Sequence, residues 1–188
     1  MEYLLRNIGI EVIGILADSP YLTIYGKWQT LEVVIKCTHE KSIDTDEYDI
    51  LKYIQENVLH PKWFPQPYFK KNIEPMPFYY SNDGVLVCRH VRSILVYEYI
   101  PGECVLNLKL TPEDKKKMKR DLTRQLIDLH NIELSYNDVV LKNIYKTPHG
   151  YRFIGFDRVQ DRLGIFKDLR GLIPYSGRDP DLRRLSEI

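Results

Sequence analysis

The stretch from Asp138 to Asp157 reads DVVLKNIYKTPHGYRFIGFD, and the rest of the chain is read outward from it. Asp138 is followed five residues later by Asn143, and a predicted hairpin then ends in a second aspartate, Asp157. Asn143-Ile144-Tyr145 leads into one strand, Thr147-Pro148-His149-Gly150 carries turn chemistry, and Tyr151 to Phe156 reads as the return strand. An acid, an amide and a second acid in that order can hold a phosphate donor and its metal ion. One Asp and one Asn at this spacing recur by chance in most proteins, so the reading depends on the upstream segments.

Composition narrows the class. A chain of 188 residues can bury one sizeable core or form two small lobes. Its 44% hydrophobic and 12% aromatic content is that of a globular domain. Lys+Arg 27 against Asp+Glu 26 leaves a net charge of +1, which sets nucleic acid aside as the main partner. Cys37, Cys88 and Cys104 are odd in number and lack CxxC spacing, which implies a reducing, cytoplasmic setting. Glu2 and Glu11 interrupt the N-terminal apolar stretch, and no apolar run approaches the roughly 20 residues that span a bilayer. Neither a signal peptide nor a membrane partner is expected.

Taken in order, residues 8–16 and 21–28 read as a hairpin closed by Ala17-Asp18-Ser19-Pro20. Only Gly14 lies near that turn, so a glycine-rich phosphate grip is missing. Leu31 to Lys36 alternates, with Leu31, Val33 and Ile35 on one face and Glu32, Val34 and Lys36 on the other. Lys36 is either an exposed strand-end lysine or an ammonium placed for phosphates. Asp44-Thr45-Asp46-Glu47 opens a helix carrying Ile50, Leu51, Ile54 and Val58 on one face. Glu47 has two readings, as the capping-box partner of Asp44 or as the ion-pair partner of Lys36. Five prolines between His60 and Pro77 exclude a continuous helix or a central strand, and the segment reads as a wrapping connection. Residues 78–80 and 85–89 flank the turn Ser81-Asn82-Asp83-Gly84, and residues 92–99 form another strand that Pro101-Gly102 ends. Thr111-Pro112-Glu113-Asp114 starts a helix that runs to about His130, with Met118, Leu122, Leu126 and Leu129 on its apolar side.

With these parts in order the chain resembles the protein-kinase-like superfamily over residues 8–160. The likeness rests on the covering hairpin, Val33-Val34-Ile35-Lys36, the Glu47 helix, the strand end Glu98-Tyr99-Ile100, and Leu129-His130 leading to Asp138 and Asn143. It implies an α+β fold, a five-stranded antiparallel sheet with one helix (residues 1–100) joined to a reduced helical lobe (101–188). It also implies ATP as phosphate donor, Mg²⁺ or Mn²⁺ as metal, and a protein Ser, Thr or Tyr hydroxyl as acceptor. On the family's pattern Lys36 clamps phosphates, Glu47 orients it, and Asp138 takes the acceptor's proton. Lys142 offsets charge on the moving group, and Asn143 and Asp157 hold the metal. Val34, Glu98, Tyr99, Ile100 and Ile154 would line the nucleotide.

Three departures qualify the resemblance. His-Arg-Asp becomes Tyr136-Asn137-Asp138, which removes the arginine that would receive an activation-loop phosphate. Only 31 residues follow Asp157 (188 minus 157), and among them Asp168-Leu169-Arg170 is either a short helix resembling the buried Asp that braces the catalytic loop or an ordinary surface helix. Gly155, in Ile154-Gly155-Phe156-Asp157, stands where the family's metal-binding carboxylate falls. Asp157 can substitute if the backbone stays extended, because strand side chains at i and i+2 share a face. The alternative is a catalytically impaired pseudokinase that serves as a protein-binding module.

Overall fold

The computed structural model describes residues 2–17, 21–38, 44–82, 85–161 and 180–188. It divides into two compact units, Met1–Tyr48 with Gln66–Tyr99, and Asp49–Pro65 with Ile100–Ile188. Residues 49–65 therefore group with the second unit, where a single cut near residue 100 would have kept them with the first. The fold is α+β.

The first unit opens with α1 (Glu2–Asn7) and continues as β1 (Ile10–Ala17), β2 (Leu22–Trp28) and β3 (Leu31–Thr38). After α2 (Asp44–Asn57), which crosses the division at Tyr48, come β4 (Pro67–Asn82) and β5 (Val85–Glu98). The five strands form one antiparallel sheet in the order β1-β2-β3-β5-β4. Its core holds Leu5, Ile10, Leu22, Ile24, Val33, Ile35, Val91, Ile94 and Val96, with Trp28, Tyr68 and Phe69 packed against them. The Trp28 ring lies 5.6 Å from Tyr68 and 5.2 Å from Phe69.

The proline-rich segment differs from its expected form. From Pro67 onward it is strand, and Pro67, Pro75 and Pro77 all lie inside β4. The arrangement is allowed because β4 is an edge strand, where a missing N–H costs no ladder bond, and because its register shifts between Asn72 and Met76. β5 is one strand where two were expected. The turns at 18–20 and 83–84 lie outside the described residues, as do the side chains of Asp44 to Asp46.

The second unit contains β6 (Glu103–Cys104), α3 (Pro112–Asn131), β7 (Leu134–Ser135), β8 (Ile144–Thr147), β9 (Gly150–Phe153), β10 (Gln160–Asp161) and α4 (Pro180–Glu187). β6, β8 and β9 form one small sheet, and β7 pairs with β10. α3 starts as the sequence dictates: Thr111 Oγ1 accepts from the Asp114 N–H, and the Asp114 carboxylate accepts from the Thr111 N–H. Its buried face presents Met118, Leu122, Leu126 and Leu129, while Gln125 donates to Tyr151 O at 2.8 Å and accepts from Phe153 N at 3.2 Å. These two bonds fasten the β8–β9 hairpin onto the helix. The loop before β4 is held from within the unit, where Gln55 Nε2 donates to the carbonyls of Pro61, Phe64 and Pro65. No described helix is long and apolar enough to cross a membrane.

Asp114 joins the same hairpin, accepting from Lys146 Nζ at 2.8 Å and from Tyr151 Oη at 2.9 Å. The Lys146 ammonium above all, then the Tyr151 hydroxyl and the Thr111 amide, hold its carboxyl well below the usual carboxylate range. Its folded-state value is depressed, so its stabilisation is present above the unfolded carboxylate value and is lost as pH falls through that of the folded state. The difference in urea midpoint between the parent and Asp114→Asn is expected to be largest at neutral pH and to shrink below about pH 4. A gap that widens on acidification would contradict this.

Candidate functional site

Each unit carries part of the chemistry. In the first, β3 pairs with β2 on one side and β5 on the other, so Lys36 lies opposite Thr23 and Leu95 in the middle of the sheet. Lys36 is 7% exposed and Glu47, from the first turn of α2, is 2% exposed. The ammonium donates to Glu47 Oε2 at 2.6 Å, and the Tyr21 ring centroid lies 4.3 Å from it. A buried ammonium needs an anionic partner. Glu47 is that partner, and the pair fixes where the lysine head points.

The expected base-reading residues are partly engaged. Glu98 N–H donates to Gln66 O at 2.8 Å and Tyr99 N–H to Glu32 O at 3.1 Å, so neither amide is open to a ligand. The Tyr25 phenol donates to the Glu32 carboxylate, which pushes the phenol up to about 12, and its ring lies 4.5 Å from that of Tyr99. Val34 is 7% exposed on β3, and the buried Ile100 has an N–H that donates to no described residue.

In the second unit Asn143 holds the group together. Its Nδ2 donates to Asp138 Oδ2 at 2.6 Å and to Asp138 O at 3.2 Å. With the amide nitrogen committed, Asn143 Oδ1 is left to turn toward residue 155. A Cβ built on Gly155 would meet Asp157 Oδ1 at 3.7 Å and Asn143 Oδ1 at 4.0 Å. Two oxygens thus converge on a small open cradle at the glycine. Side-chain oxygens of this kind suit a hard divalent cation. Among the described residues no group of three or more His, Cys, Asp or Glu is placed to hold a metal ion.

The route by which Asp157 arrives differs from the expected one. β9 ends at Phe153, and Gly155 adopts φ +73, a left-handed conformation that breaks the strand. Asp157 therefore comes round on a turn and does not stand at the next same-side position of an extended chain. Arg158, which follows it, brings its Nε to 3.9 Å from Asp138 Oδ2. Asp138 Oδ1 has no partner among the described residues. Lys142 is exposed beside Asn143. Ile154 is tied inward, its N–H donating to Asn143 O at 2.9 Å and its C=O accepting from Tyr136 Oη at 2.5 Å.

Asp181, at the start of α4, was not singled out in the sequence. It is fully buried, and its carboxylate accepts from the Tyr136 N–H and the Asn137 N–H, both at 2.7 Å. Its third neighbour is His130 Nε2 at 3.4 Å. Asp181 thus braces the loop before Asp138; Asp168, which resembled such a brace in the sequence, lies outside the described residues. The available signal was Pro180-Asp181, a proline at the first helical position with an acid behind it.

No protein-family model matches the chain, and no curated protein does. Solved structures do. A Stt7 homolog from Micromonas algae, soaked with ATP, matches over 80% of this chain and 50% of its own, with TM-score 0.62 and 15% identity. The Cydia pomonella granulovirus kinase PK-1 matches over 85% of this chain and 58% of its own, with TM-score 0.55 and 18% identity. The fold is thus protein-kinase-like, and the chain spans about half the length of these structures.

Asp181→Ala leaves two buried amides without an acceptor and is expected to cost about 3 kcal/mol or more, since each orphaned group carries its own desolvation penalty. Asp181→Asn keeps one acceptor oxygen and should cost less. Chemical denaturation of both variants checks the order, and equal costs would remove the bracing role.

Proposed function

We propose that the chain is a minimal, atypical kinase that transfers the γ-phosphate of ATP to a protein hydroxyl. The observation that carries this reading is the Asp138–Asn143 pair. Its short hydrogen bond fixes both the carboxylate that would serve as base and the amide oxygen that would face the metal. The ATP soak of the Micromonas structure, which shares the fold, supports ATP as the donor.

In this mechanism Lys36, oriented by Glu47, neutralises donor phosphates. The Ile100 N–H would be open to donate to a nucleotide base, and Val34 would offer apolar surface on its own unit. Asn143 Oδ1 and Asp157 Oδ1 would hold Mg²⁺, which neutralises phosphate charge when bound. Asp138 Oδ1 receives the acceptor's proton as that hydroxyl oxygen bonds to the γ-phosphorus and the bond to the ADP oxygen breaks. Lys142 and Arg158 offset the charge that moves. The acceptor is an intracellular protein, and neither nucleic acid nor membrane enters the reaction.

Gly155 favours a second reading, a kinase-like binding module without transfer, because the residue in that position brings no carboxylate of its own. Transfer from γ-labelled ATP with Mg²⁺ or Mn²⁺ separates the two. The parent is expected to label itself or a generic protein acceptor. Asp138→Ala should lose about 100-fold or more in rate, with affinity for metal-free ATP unchanged. Activity that persists in Asp138→Ala would overturn the assignment of the base. A silent parent, with activity appearing in Gly155→Asp, would establish the binding module. The left-handed backbone strains that substitution, though Asp tolerates φ near +70 better than most residues.

A further inference from the structure

The outward face of α3 carries a ridge of cations. The exposed residues between positions 115 and 127 are Lys115, Lys116, Lys117, Arg120, Arg124 and Ile127, so all but the last are basic and none is acidic. Lys116, Arg120 and Arg124 follow one another at four-residue intervals, about 6 Å apart on a helix that rises about 1.5 Å per residue. They lie opposite the face that buries Met118, Leu122 and Leu129.

A solvated helix face ordinarily mixes signs, with an acid one turn away from a base. The acids of α3 are instead engaged elsewhere. Asp114 accepts from Lys146 and Tyr151, Asp121 accepts from Lys117 and the Tyr151 N–H, and Asp128 is buried with His60 Nδ1 at 3.0 Å. Glu113, the one exposed acid of the helix, sits in the first turn, at the end whose dipole favours negative charge. Arg120 reaches Asp121 only at 3.7 Å, and Lys116 and Arg124 make no ion pair among the described residues. α4 packs on α3 and places Ser186 O on Lys119 Nζ at 3.0 Å, and its Glu187 is paired with Arg183 at 3.5 Å. The like-charge repulsion along Lys116, Arg120 and Arg124 is therefore left largely uncompensated, at a small cost to the helix.

A cationic ridge kept at that cost calls for an anionic partner. Nucleic acid is held by a broad positive field, which a net charge of +1 does not supply. A lipid surface takes up an apolar face beside the cations, and that of α3 lies in the core except for Ile127, which is 45% exposed. A polypeptide helix with acids at i, i+4 and i+8 repeats the interval of about 6 Å along the ridge.

We propose that the outward face of α3 docks an acidic helix of a partner protein. Carboxylates spaced by four residues meet Lys116, Arg120 and Arg124, and an apolar residue one turn further on meets Ile127. The docking is independent of phosphoryl transfer: a kinase would use it to retain an acceptor protein, and a binding module to engage its partner.

The test titrates the whole chain into fluorescence-labelled, alanine-based helical peptides at low ionic strength, with anisotropy as the readout. One peptide carries three glutamates four residues apart, a second carries three consecutive glutamates, and a third carries lysines at the spaced positions. The spaced acid is expected to bind about fivefold tighter than the clustered one, the scale of a few exposed ion pairs, and the lysine peptide is expected not to bind. Lys116→Ala with Arg124→Ala should remove the preference. Lys52→Ala with Lys62→Ala takes the same charge from exposed positions elsewhere on the second unit and should keep it. The Lys116→Ala, Arg124→Ala protein should also unfold at a urea midpoint equal to or above that of the parent, because repulsion is relieved and alanine suits a helix. A lower midpoint would assign the ridge to stability and overturn the docking role. Equal affinity for spaced and clustered glutamates would overturn it as well, as would tighter binding of a single-stranded oligonucleotide that the same variant loses.

Discussion

The second unit depends on one buried carboxylate. Asp181 is removed from water, and an isolated ion in such a place carries a desolvation penalty of several kcal/mol. Two backbone N–H groups, Tyr136 and Asn137, offset it at 2.7 Å each. The bond that satisfies the acid also fixes the loop, because Asn137 takes φ +63, which that residue type tolerates best after glycine. Asp138 is the next residue, so its direction follows from this arrangement. The Tyr136 side chain extends the constraint. Its ring packs 4.3 Å from Phe153 and 5.4 Å from Phe156, and its hydroxyl holds Ile154 O. A single dipeptide is thus clamped to α4 through its backbone and to the segment before Gly155 through its side chain.

The first unit solves a comparable problem with opposite sign. β3 is buried from Val33 to Thr38 without interruption, so the alternation legible in Leu31 to Lys36 becomes burial on both faces. Val33, Ile35 and Cys37 serve the hydrophobic core, which leaves Val34 and Lys36 on the other face. A buried ammonium there needs an anionic partner, and Glu47 provides it. The pair is weak evidence for stability, because hydrophobic residues of similar volume can replace such pairs without loss. Its value lies in fixing the direction of a charged group.

Much of this was legible in the sequence, for reasons that differ by element. α3 carried its own instructions in Thr111-Pro112-Glu113-Asp114 and in its apolar spacing, and local signals of that kind survive tertiary context. The Lys36–Glu47 pair was one of two open readings and is present at 2.6 Å, while the side chain of Asp44, the capping partner in the other, lies outside the described residues. β4 was hidden because proline is a strong local breaker, yet an edge position cancels the penalty, and edge position is a property of the whole sheet. Asp181 was hidden because its partners are backbone amides more than forty residues away, which leave no side-chain pattern to read. The path of Asp157 depended on the backbone staying extended, and the left-handed turn that glycine permits at 155 does not meet that condition.

That turn bears on what the site can hold. With Gly155 lacking a side chain, the cradle beside it receives oxygens from Asn143 and Asp157, one neutral and one anionic. Magnesium is commonly held by one or two carboxylates together with substrate phosphates, and it gives up its waters reluctantly. A donor set with a single formal charge is therefore poorly matched to the bare ion and better matched to the ion already carried by a nucleotide. The same glycine that removes a carboxylate leaves room for the phosphate oxygens that would complete the shell. In the proposed mechanism the metal would therefore arrive with the nucleotide, and the hydrogen bond from Asn143 Nδ2 to Asp138 Oδ2 would set how the Asn143 amide meets it.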